Sequence, residues 1–227
     1  MNEPILKITP AVTAAEFFNR ARARLSFDVP RGLVDPNVIP ESGDPGTDRM
    51  LEIIAREQPV RPAAVLVGIV AREEPTVLLT QRSSQLNEHA GQIAFPGGRR
   101  EPGDIDLLAT ALREAEEEVG LEPSQVEVLT DLPVIETIAT GFRVAPFLGR
   151  LHGAPPTWRR QETEIDEILE VRLDDLNPAT HAVDSWQLPG WPEARDIPFY
   201  WIGPYKLWGA TYRIVESIRG YVTGHAV

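Results

Sequence analysis

Residues 95–121 read FPGGRREPGDIDLLATALREAEEEVGL, a glycine-rich bend followed by a segment rich in alanine, leucine and glutamate. Apolar side chains in the second part recur at helical spacing and form a narrow stripe of Leu108, Ala111, Leu112, Ala115 and Val119. This spacing predicts a helix over residues 105–119 with Asp104 as its N-cap. The helix would turn its stripe to a core and leave its other side for polar groups.

Three glutamates, Glu114, Glu117 and Glu118, lie at i, i+3 and i+4 on the side of this helix away from the stripe. Their charges repel, and acids in the last turn before Gly120 oppose the helix dipole, so the arrangement is unfavourable without a cation. Taken alone, such a charge run is most often only a solvated face. The bend at residues 95–98, however, has a backbone that can approach a ligand or metal closely, and the two features together predict a divalent-cation site.

Length and composition exclude several classes of function. The chain has 227 residues and is 42% hydrophobic, enough to bury a core in one large domain or two small ones. A formal charge of -12 argues against a duplex nucleic acid or an anionic membrane as partner. Because cysteine is absent, a metal must be held by oxygen or imidazole. No secretory signal and no apolar stretch of about 18 residues occurs, so we expect a cytoplasmic protein.

Outside the bend and helix, the pattern predicts mostly strands. Apolar runs at residues 63–70 and 76–80 surround a short polar connection and favour a β-hairpin. Further strand candidates are residues 126–138, 143–151 and 168–173, and a second helix pattern covers residues 208–221. Mixed strands with few helices predict an α+β domain with a layered, mixed sheet.

Residues 1–60 form a separate N-terminal segment. Thr13 and Glu16 have capping-box form and open a short helix over residues 16–25. The prolines and glycines of residues 29–46 indicate a linker or a surface arm, and a second short helix is expected over residues 49–56. We therefore predict an N-terminal helix and Pro/Gly-rich arm, residues 1–60, packed on or linked to a domain of residues 61–227. Three roles stay open for this arm: it covers the core, contributes to a homodimer or stays mobile.

The bend and helix resemble the signature of the Nudix hydrolases. The half of that signature with the pattern R-E-x-x-E-E-x-G is complete here, at Arg113, Glu114, Glu117, Glu118 and Gly120. In the other half, Asp104 stands where the general pattern has glutamate, and one additional residue separates it from Arg113. The resemblance implies a Nudix fold, a mixed β-sheet sandwiched between helices in an α/β/α arrangement.

The spacing is similar to that of the coenzyme A pyrophosphatase subgroup. That subgroup has an upstream pattern L-L-T-x-R-[S/A], matched here by residues 78–83, followed by Gly91 and the FPGG bend. Asn87 stands where the subgroup has an arginine. The resemblance extends from about residue 61 to the C-terminus. It implies hydrolysis of coenzyme A or acyl-CoA to 3′,5′-ADP and 4′-phosphopantetheine or its acylated form.

The resemblance also implies roles for individual residues. Glu114, Glu117 and Glu118 would bind Mg²⁺ or Mn²⁺, and Arg113 would orient them. The general base would be Glu118 or an acid of a later loop, Glu164 or Glu167. The expected substrate contacts are Arg82, Gly97, Gly98 and Arg99, with Arg100 as a further candidate.

Two alternatives remain open at this point. The substrate could instead be ADP-ribose or another nucleoside diphosphate derivative, or the chain could be a ligand sensor without catalysis, although a sensor would be expected to lose the metal glutamates. The histidines show no metal-ligand spacing, and we assign only His89 a place near the substrate loop. Trp186, Trp191 and Trp201 are interpreted as core residues, with stacking on an adenine as the alternative.

Overall fold

A computed structural model describes residues 13–24, 61–86, 88–137, 140–153, 158–176, 181–187 and 193–223. The predicted arm at 29–46, the predicted helix at 49–56, Asn87, Trp191 and His225 lie outside these ranges.

The described residues form three α-helices, eleven strands and two short 3-10 helices, Pro123–Gln125 and Leu173–Asp175. The helices are α1 Ala14–Arg24, α2 Leu107–Val119 and α3 Gly209–Thr223. The strands before α2 are β1 Arg61–Val70, β2 Thr76–Arg82, β3 Ile93–Ala94 and β4 Gly97–Arg99. Those between α2 and α3 are β5 Val126–Asp131, β6 Ile135–Glu136, β7 Phe142–Leu151, β8 Ile165–Arg172, β9 His181–Trp186, β10 Arg195–Ile202 and β11 Tyr205–Trp208.

The main sheet is mixed. Its strand order is β3-β2-β1-β7-β5, with β4 beside β1, β6 beside β7 and β8 beside β2. β1 and β7 run parallel along their whole length, whereas the other pairs are antiparallel. The predicted hairpin is confirmed, because Ile69 pairs with Val77 across the turn between β1 and β2.

Helices cover both faces of this sheet. On one face, the α2 residues Ala111, Ala115 and Val119 pack against Leu66 and Leu78. On the other face, side chains of α1 and α3 join those of β1 and β2 in a second cluster that includes Phe17, Val67, Leu79, Ile214 and Ile218. The predicted α+β fold with its sheet between helices is therefore confirmed.

Two local predictions are wrong, and one sheet was not predicted. The segment 126–138 is not one strand but two, β5 and β6, and both pair with β7. The strands β9, β10 and β11 form a second, three-stranded sheet that the pattern did not indicate. Trp201 on β10 is 50% exposed and so is not a core residue, while Trp186 is half-buried against Trp208.

The N-cap of α2 is also different from the predicted one. Asp106, in an extended conformation, accepts a hydrogen bond at 2.7 Å from the Ala109 N–H, and α2 starts at Leu107. Asp104 is instead buried two residues earlier. The reason is that Asp104 is engaged by a side chain further along the helix, so it is not free to cap the first turn.

The N-terminal helix α1 packs on the core. Its predicted capping box is confirmed, since the Glu16 N–H donates to Thr13 Oγ1 at 3.2 Å and the Thr13 N–H donates to Glu16 Oε2 at 3.1 Å. Phe17 and Phe18 are both buried in the cluster shared with α3. The boundary between an N-terminal segment and the main domain at residue 60 stays a prediction.

Among the described helices, none has both the length and the apolar composition needed to span a membrane.

Replacing Phe17 with alanine should lower the free energy of unfolding by about 3 to 5 kcal/mol, because loss of a fully buried ring leaves a cavity under α1. Urea unfolding of the full chain measures the change. Asn19→Ala, at an exposed position of the same helix, is the matched control and should change stability by less than about 0.5 kcal/mol. Equal stability of the Phe17→Ala variant and the parent would show that α1 is not part of the cooperative core.

Candidate active site

Strand β4 passes unusually close to both β1 and α2. A Cβ atom added at Gly97 would lie 2.3 Å from the Ala64 carbonyl oxygen, and one added at Gly98 would lie 2.3 Å from Glu114 Oε1. Position 97 therefore requires glycine because the nearest atoms that a Cβ would meet belong to the backbone, whereas a side chain at position 98 would displace the carboxylate of Glu114. This close approach brings the backbone of the glycine-rich bend directly against the glutamate helix.

Glu118 is the most buried acid of the site, with only 1% of its surface exposed. Its Oε2 accepts a hydrogen bond from the Gly97 N–H at 3.1 Å, and its Oε1 lies 3.4 Å from Arg82 Nη1. Burial raises the pKa of Glu118 to about 8, although Arg82 and the Gly97 N–H oppose the rise. Glu118 is thus on the sheet side of α2 with Ala115, not on the side away from the apolar stripe as the sequence had suggested.

Glu114 lies one turn earlier on the same side of α2. It accepts a hydrogen bond at 3.0 Å from Arg113 Nη2 and is mostly shielded from solvent, with 13% of its side chain exposed. Burial raises the pKa of Glu114, Arg113 lowers it, and the nearby charges of Glu117 and Glu164 raise it further. Glu114 and Glu164 also raise the pKa of Glu118, so these three carboxylates repel one another across a small region.

Arg113 holds the loop before α2 against the helix. Its Nε and Nη2 donate to the two carboxylate oxygens of Asp104 at 3.0 and 3.2 Å, a bidentate pair. Its Nη1 donates to Glu117 at 3.0 Å, and its Nη2 also reaches the Arg99 carbonyl at 3.2 Å. Arg113 therefore touches both the loop and the acids.

Asp104 is a residue of this site that the sequence placed in the wrong role. Its carboxylate also accepts hydrogen bonds at 2.8 Å from the Glu101 N–H and from Thr110 Oγ1. The hydrogen bonds from Arg113 are the main reason that the pKa of Asp104 falls to about 2, and Asp104 in turn raises the pKa of Arg113. The spacing from Asp104 to Arg113 is not a helical one, so only the fold of the intervening loop brings the two together.

Glu117 differs from the other two glutamates, because its side chain is 56% exposed and turned to Arg113. Within the described parts of the chain, no three histidine or acidic side chains are arranged so that all could ligate one ion. The structure thus brings Glu114 and Glu118 together near Glu164, with Glu117 beside them on Arg113.

The loop that carries Glu164 docks on the C-terminal end of α2. The N–H groups of Arg159 and Gln161 donate to the carbonyls of Val119 and Glu118 at 3.1 and 3.0 Å. The Ser83 N–H donates to the Glu164 carbonyl at 2.7 Å. Loop 158–164 is therefore attached to both α2 and the end of β2, which keeps Glu164 beside the acidic cluster.

Glu167, the other acid predicted as a base, lies elsewhere. It is two residues from Leu169, which packs in the cluster on the α1 and α3 face, so its side chain shares that face of the sheet. There it accepts a hydrogen bond from the Tyr205 hydroxyl. The structure separates Glu167 from the glutamates of α2 and keeps Glu164 with them.

The three arginines predicted to contact the substrate lie in different places. Arg82 lies beside Glu118, and its buried Nε has no hydrogen-bond partner among the described residues. The guanidinium of Arg99 instead reaches Glu88 at 2.6 Å, away from the glutamates, and Arg100 donates to the Asp104 carbonyl. His89 bonds to Gln92 at 3.0 Å within the loop before β3. Of these side chains, Arg82 is therefore the one that lies against the glutamates.

The donor set fits a hard divalent cation. It consists of carboxylate oxygens in a partly buried cluster, held next to the backbone of Gly97 and Gly98 and destabilised by mutual repulsion. The unpartnered Nε of Arg82 beside them fits an anionic oxygen. A cation and a phosphate group together would satisfy both kinds of group.

Comparison with known proteins gives a family match. Residues 60–191 match the family described as NUDIX domain. A protein of Salmonella paratyphi B named "Uncharacterized Nudix hydrolase NudL" is 38% identical over 162 residues, which are 70% of this chain and 81% of the relative.

Two solved structures are among those to which the chain is similar. A MutT/nudix family protein from Enterococcus faecalis has a TM-score of 0.51 and 16% identity, covering 81% of this chain and 71% of that protein. A C. elegans Ap4A hydrolase in a binary complex has a TM-score of 0.43 and 24% identity, covering 51% of this chain and 82% of that protein.

Asp104→Asn should lower the free energy of unfolding at pH 7 by about 2 to 4 kcal/mol, because Arg113 loses the charge of its main partner. The pKa of Asp104 lies below its ordinary value of 3.8, so its contribution is present above that value and is lost as the pH falls towards 2. The difference between the variant and the parent should therefore shrink at pH 2. Denaturant unfolding at both pH values tests this, with the exposed Asp196→Asn as control; an unchanged difference would contradict it.

Glu118→Gln should stabilise the protein at alkaline pH when divalent cations are absent. The pKa of Glu118 is about 8 in the folded chain against an ordinary 4.5, so stability falls as the pH rises between these values. The uncharged amide removes this loss, and we expect a gain of at least about 1 kcal/mol at pH 9 and little change near pH 4. Thermal unfolding in EDTA measures it. The exposed Glu116→Gln should show no such gain, and a destabilised Glu118→Gln at pH 9 would refute the argument.

Proposed function

The chain belongs to the Nudix hydrolase family, which acts on phosphoric anhydrides, and from this premise we propose that it hydrolyses the pyrophosphate of coenzyme A or acyl-CoA. The products would be 3′,5′-ADP and 4′-phosphopantetheine or its acylated form. Support for this substrate comes from the L-L-T-Q-R-S segment at residues 78–83 and from the spacing between Gly98, Asp104 and Arg113. The observation that carries the catalytic proposal is Glu118, a buried acid bonded to the Gly97 N–H and close to Glu114.

We assign Mg²⁺ or Mn²⁺ to the glutamates of α2. Glu114, Glu117 and Glu118 would hold it, and Glu117 would have to leave Arg113 to take part. Such an ion, when bound, neutralises charge on the pyrophosphate oxygens and lowers the pKa of a bound water. The mutual repulsion of the acids is the physical reason for expecting the ion here.

Arg113 serves as a positioning residue in this proposal. Its guanidinium is fixed by the bidentate pair with Asp104 and donates to Glu114 and Glu117. With the arginine fixed, Glu114 loses rotamer freedom and is oriented before any ligand binds, whereas Glu117 stays on Arg113 until it leaves to bind the ion.

The reaction needs a base for the attacking water, and we propose Glu164. As the water oxygen bonds to phosphorus, a water proton passes to the carboxylate and the bridging oxygen leaves with the bond electrons. Glu164 is exposed and lies close enough to raise the pKa of both Glu114 and Glu118. Glu118, the other candidate, is held by the Gly97 N–H and Arg82, which suits a ligand better than a group that must move a proton.

The substrate phosphates would contact Arg82 and the backbone of Gly97 and Gly98. Arg82 has a buried Nε in need of an acceptor, and the two glycines bring the backbone of β4 directly beside Glu114 and Glu118. Charge-assisted hydrogen bonds from arginine to phosphate are among the strongest polar contacts in proteins.

A second substrate, ADP-ribose or another nucleoside diphosphate derivative, keeps the same chemistry. The observation in its favour is Asn87, where the coenzyme A subgroup has an arginine.

The test is incubation of the purified chain with Mg²⁺ or Mn²⁺ against coenzyme A, ADP-ribose and NADH, with products identified by mass. We expect 3′,5′-ADP from coenzyme A. Cleavage of another substrate without 3′,5′-ADP would overturn the choice of substrate, and no turnover of any would overturn catalysis.

Glu117→Gln should reduce metal-dependent turnover at least about a hundredfold while leaving the fold intact, since it removes a proposed ligand at an exposed position. Glu116→Gln, its exposed neighbour on α2, is the matched control and should keep full activity. A folded Glu117→Gln variant with full activity would remove Glu117 from the site. Circular dichroism spectra of both variants establish that they are folded.

A further inference from the structure

We propose that Arg61 and Arg99 form a second anion-binding subsite, which takes a phosphomonoester group that the substrate carries apart from its pyrophosphate. The inference rests on the proposed function for the identity of the substrate. It goes beyond that function in assigning Arg61, Phe142 and Glu88 to recognition, and in giving Arg99 a ligand different from the scissile phosphates.

The two arginines converge on one aromatic ring and one carboxylate. The guanidinium carbon of Arg61 lies 4.0 Å from the centre of the Phe142 ring, and that of Arg99 lies 5.1 Å from it. Both side chains bond to the same oxygen of Glu88, at 3.3 Å from Arg61 and 2.6 Å from Arg99. Arg61 is held further by a hydrogen bond of 3.1 Å to the Thr140 carbonyl.

This group carries more positive than negative charge. Two guanidiniums face a single carboxylate, in a chain whose formal net charge is -12. The exposed side-chain fractions are 31% for Arg61, 58% for Arg99 and 46% for Glu88, so all three can be reached from solvent. A phosphomonoester dianion offers one more charge and one more oxygen than Glu88 does, and it suits two guanidiniums better.

The subsite lies across strand β4 from the glutamates. Gly98 pairs with Ala64, which packs in the core cluster under α2, whereas Arg99 pairs with Ala63, which packs in the cluster on the other face. Neighbouring residues of a strand point to opposite faces, so the Arg99 side chain leaves the sheet on the face away from α2.

Arg99 connects the two sites directly. Its carbonyl oxygen accepts a hydrogen bond at 3.2 Å from Arg113, the residue that also holds Glu114 and Glu117. Its guanidinium lies over Phe142. A single side chain, that of Arg99, thus joins the second subsite to the backbone that Arg113 holds.

Glu88 then acts as an internal competitor. It occupies both arginines when no ligand is bound, and a phosphomonoester must displace it to bind. Aromatic contact with Phe142 keeps the guanidiniums in place during the exchange. A substrate with an additional phosphate, as in coenzyme A, would be favoured over one without it, as in ADP-ribose.

The experiment compares the binding of 3′,5′-ADP and of AMP to the full chain by calorimetry, without turnover. The two ligands share the 5′-phosphate and differ in the second phosphate. We expect the parent to bind 3′,5′-ADP at least about tenfold more tightly than AMP. Arg61→Gln and Arg99→Gln should bring the ratio close to one, and Glu88→Gln should increase it.

Each variant has a control with the same change of charge elsewhere in the chain. Glu73→Gln is the control for Glu88→Gln, and Arg172→Gln is the control for the two arginine variants. Glu73→Gln lies in the turn after β1, and Arg172→Gln lies on β8 in an exposed ion pair with Glu74. Both should leave the ratio unchanged, which excludes a general effect of net charge. Should Arg61→Gln fail to fold, the exposed Glu88→Gln variant still decides the matter.

The outcomes separate this proposal from the proposed function. Equal binding of the two ligands, or a ratio unmoved by Arg99→Gln and Glu88→Gln, would overturn the subsite even if coenzyme A is hydrolysed. Tight binding of 3′,5′-ADP that depends on Arg61 and Arg99 would support it even if coenzyme A is not a substrate.

Discussion

The bidentate ion pair between Arg113 and Asp104 fixes the geometry around it. Asp104 is buried at the end of the loop that follows β4, and Arg113 is in the middle of α2, so their contact joins the loop to the helix. The same guanidinium donates to Glu114 and Glu117. Without this pair, the loop would no longer be attached to α2. Glu114 and Glu117 would also lose the hydrogen bonds from a fixed Arg113, whereas Glu118 would keep its bond to Gly97.

The acids beside this pair oppose the stability of the fold. Glu118 is buried where a neutral side chain would be more favourable, and its neighbours Glu114 and Glu164 add repulsion. The structure tolerates this because the Gly97 N–H donates to Glu118 and Arg82 supplies a partial counter-charge. Acids that repel one another in this way are expected where electrostatics are arranged for binding.

Strand β4 divides the functional surface into two parts. Glycine at position 98 leaves room for the glutamates on one face, while Arg99 extends to Arg61 and Phe142 on the other. The second sheet, β9 to β11, adds a contact on this second face, where Tyr205 bonds to Glu167. Glu164 and Glu167 are close in sequence but have different neighbours: Glu164 lies near Glu114 and Glu118, and Glu167 is bonded to Tyr205.

Sequence alone determined the layered fold, the β1–β2 hairpin and the helix with its glutamates, because these depend on local periodicity and on a motif of fixed spacing. It did not determine the partner of Asp104 or the second sheet, because β9 and β11 are only six and four residues long and β10 contains Pro198, which weakens a strand prediction. It also could not tell which acid of loop 158–164 and β8 faces the glutamates, or that Arg82 and Arg99 diverge. Those features depend on contacts between residues far apart in the chain and on which face of a strand each side chain leaves. Only the tertiary structure decides these contacts. The pairing of strands and the docking of loops determine to which face each side chain points, whereas the sequence gives only the order of the residues along the chain.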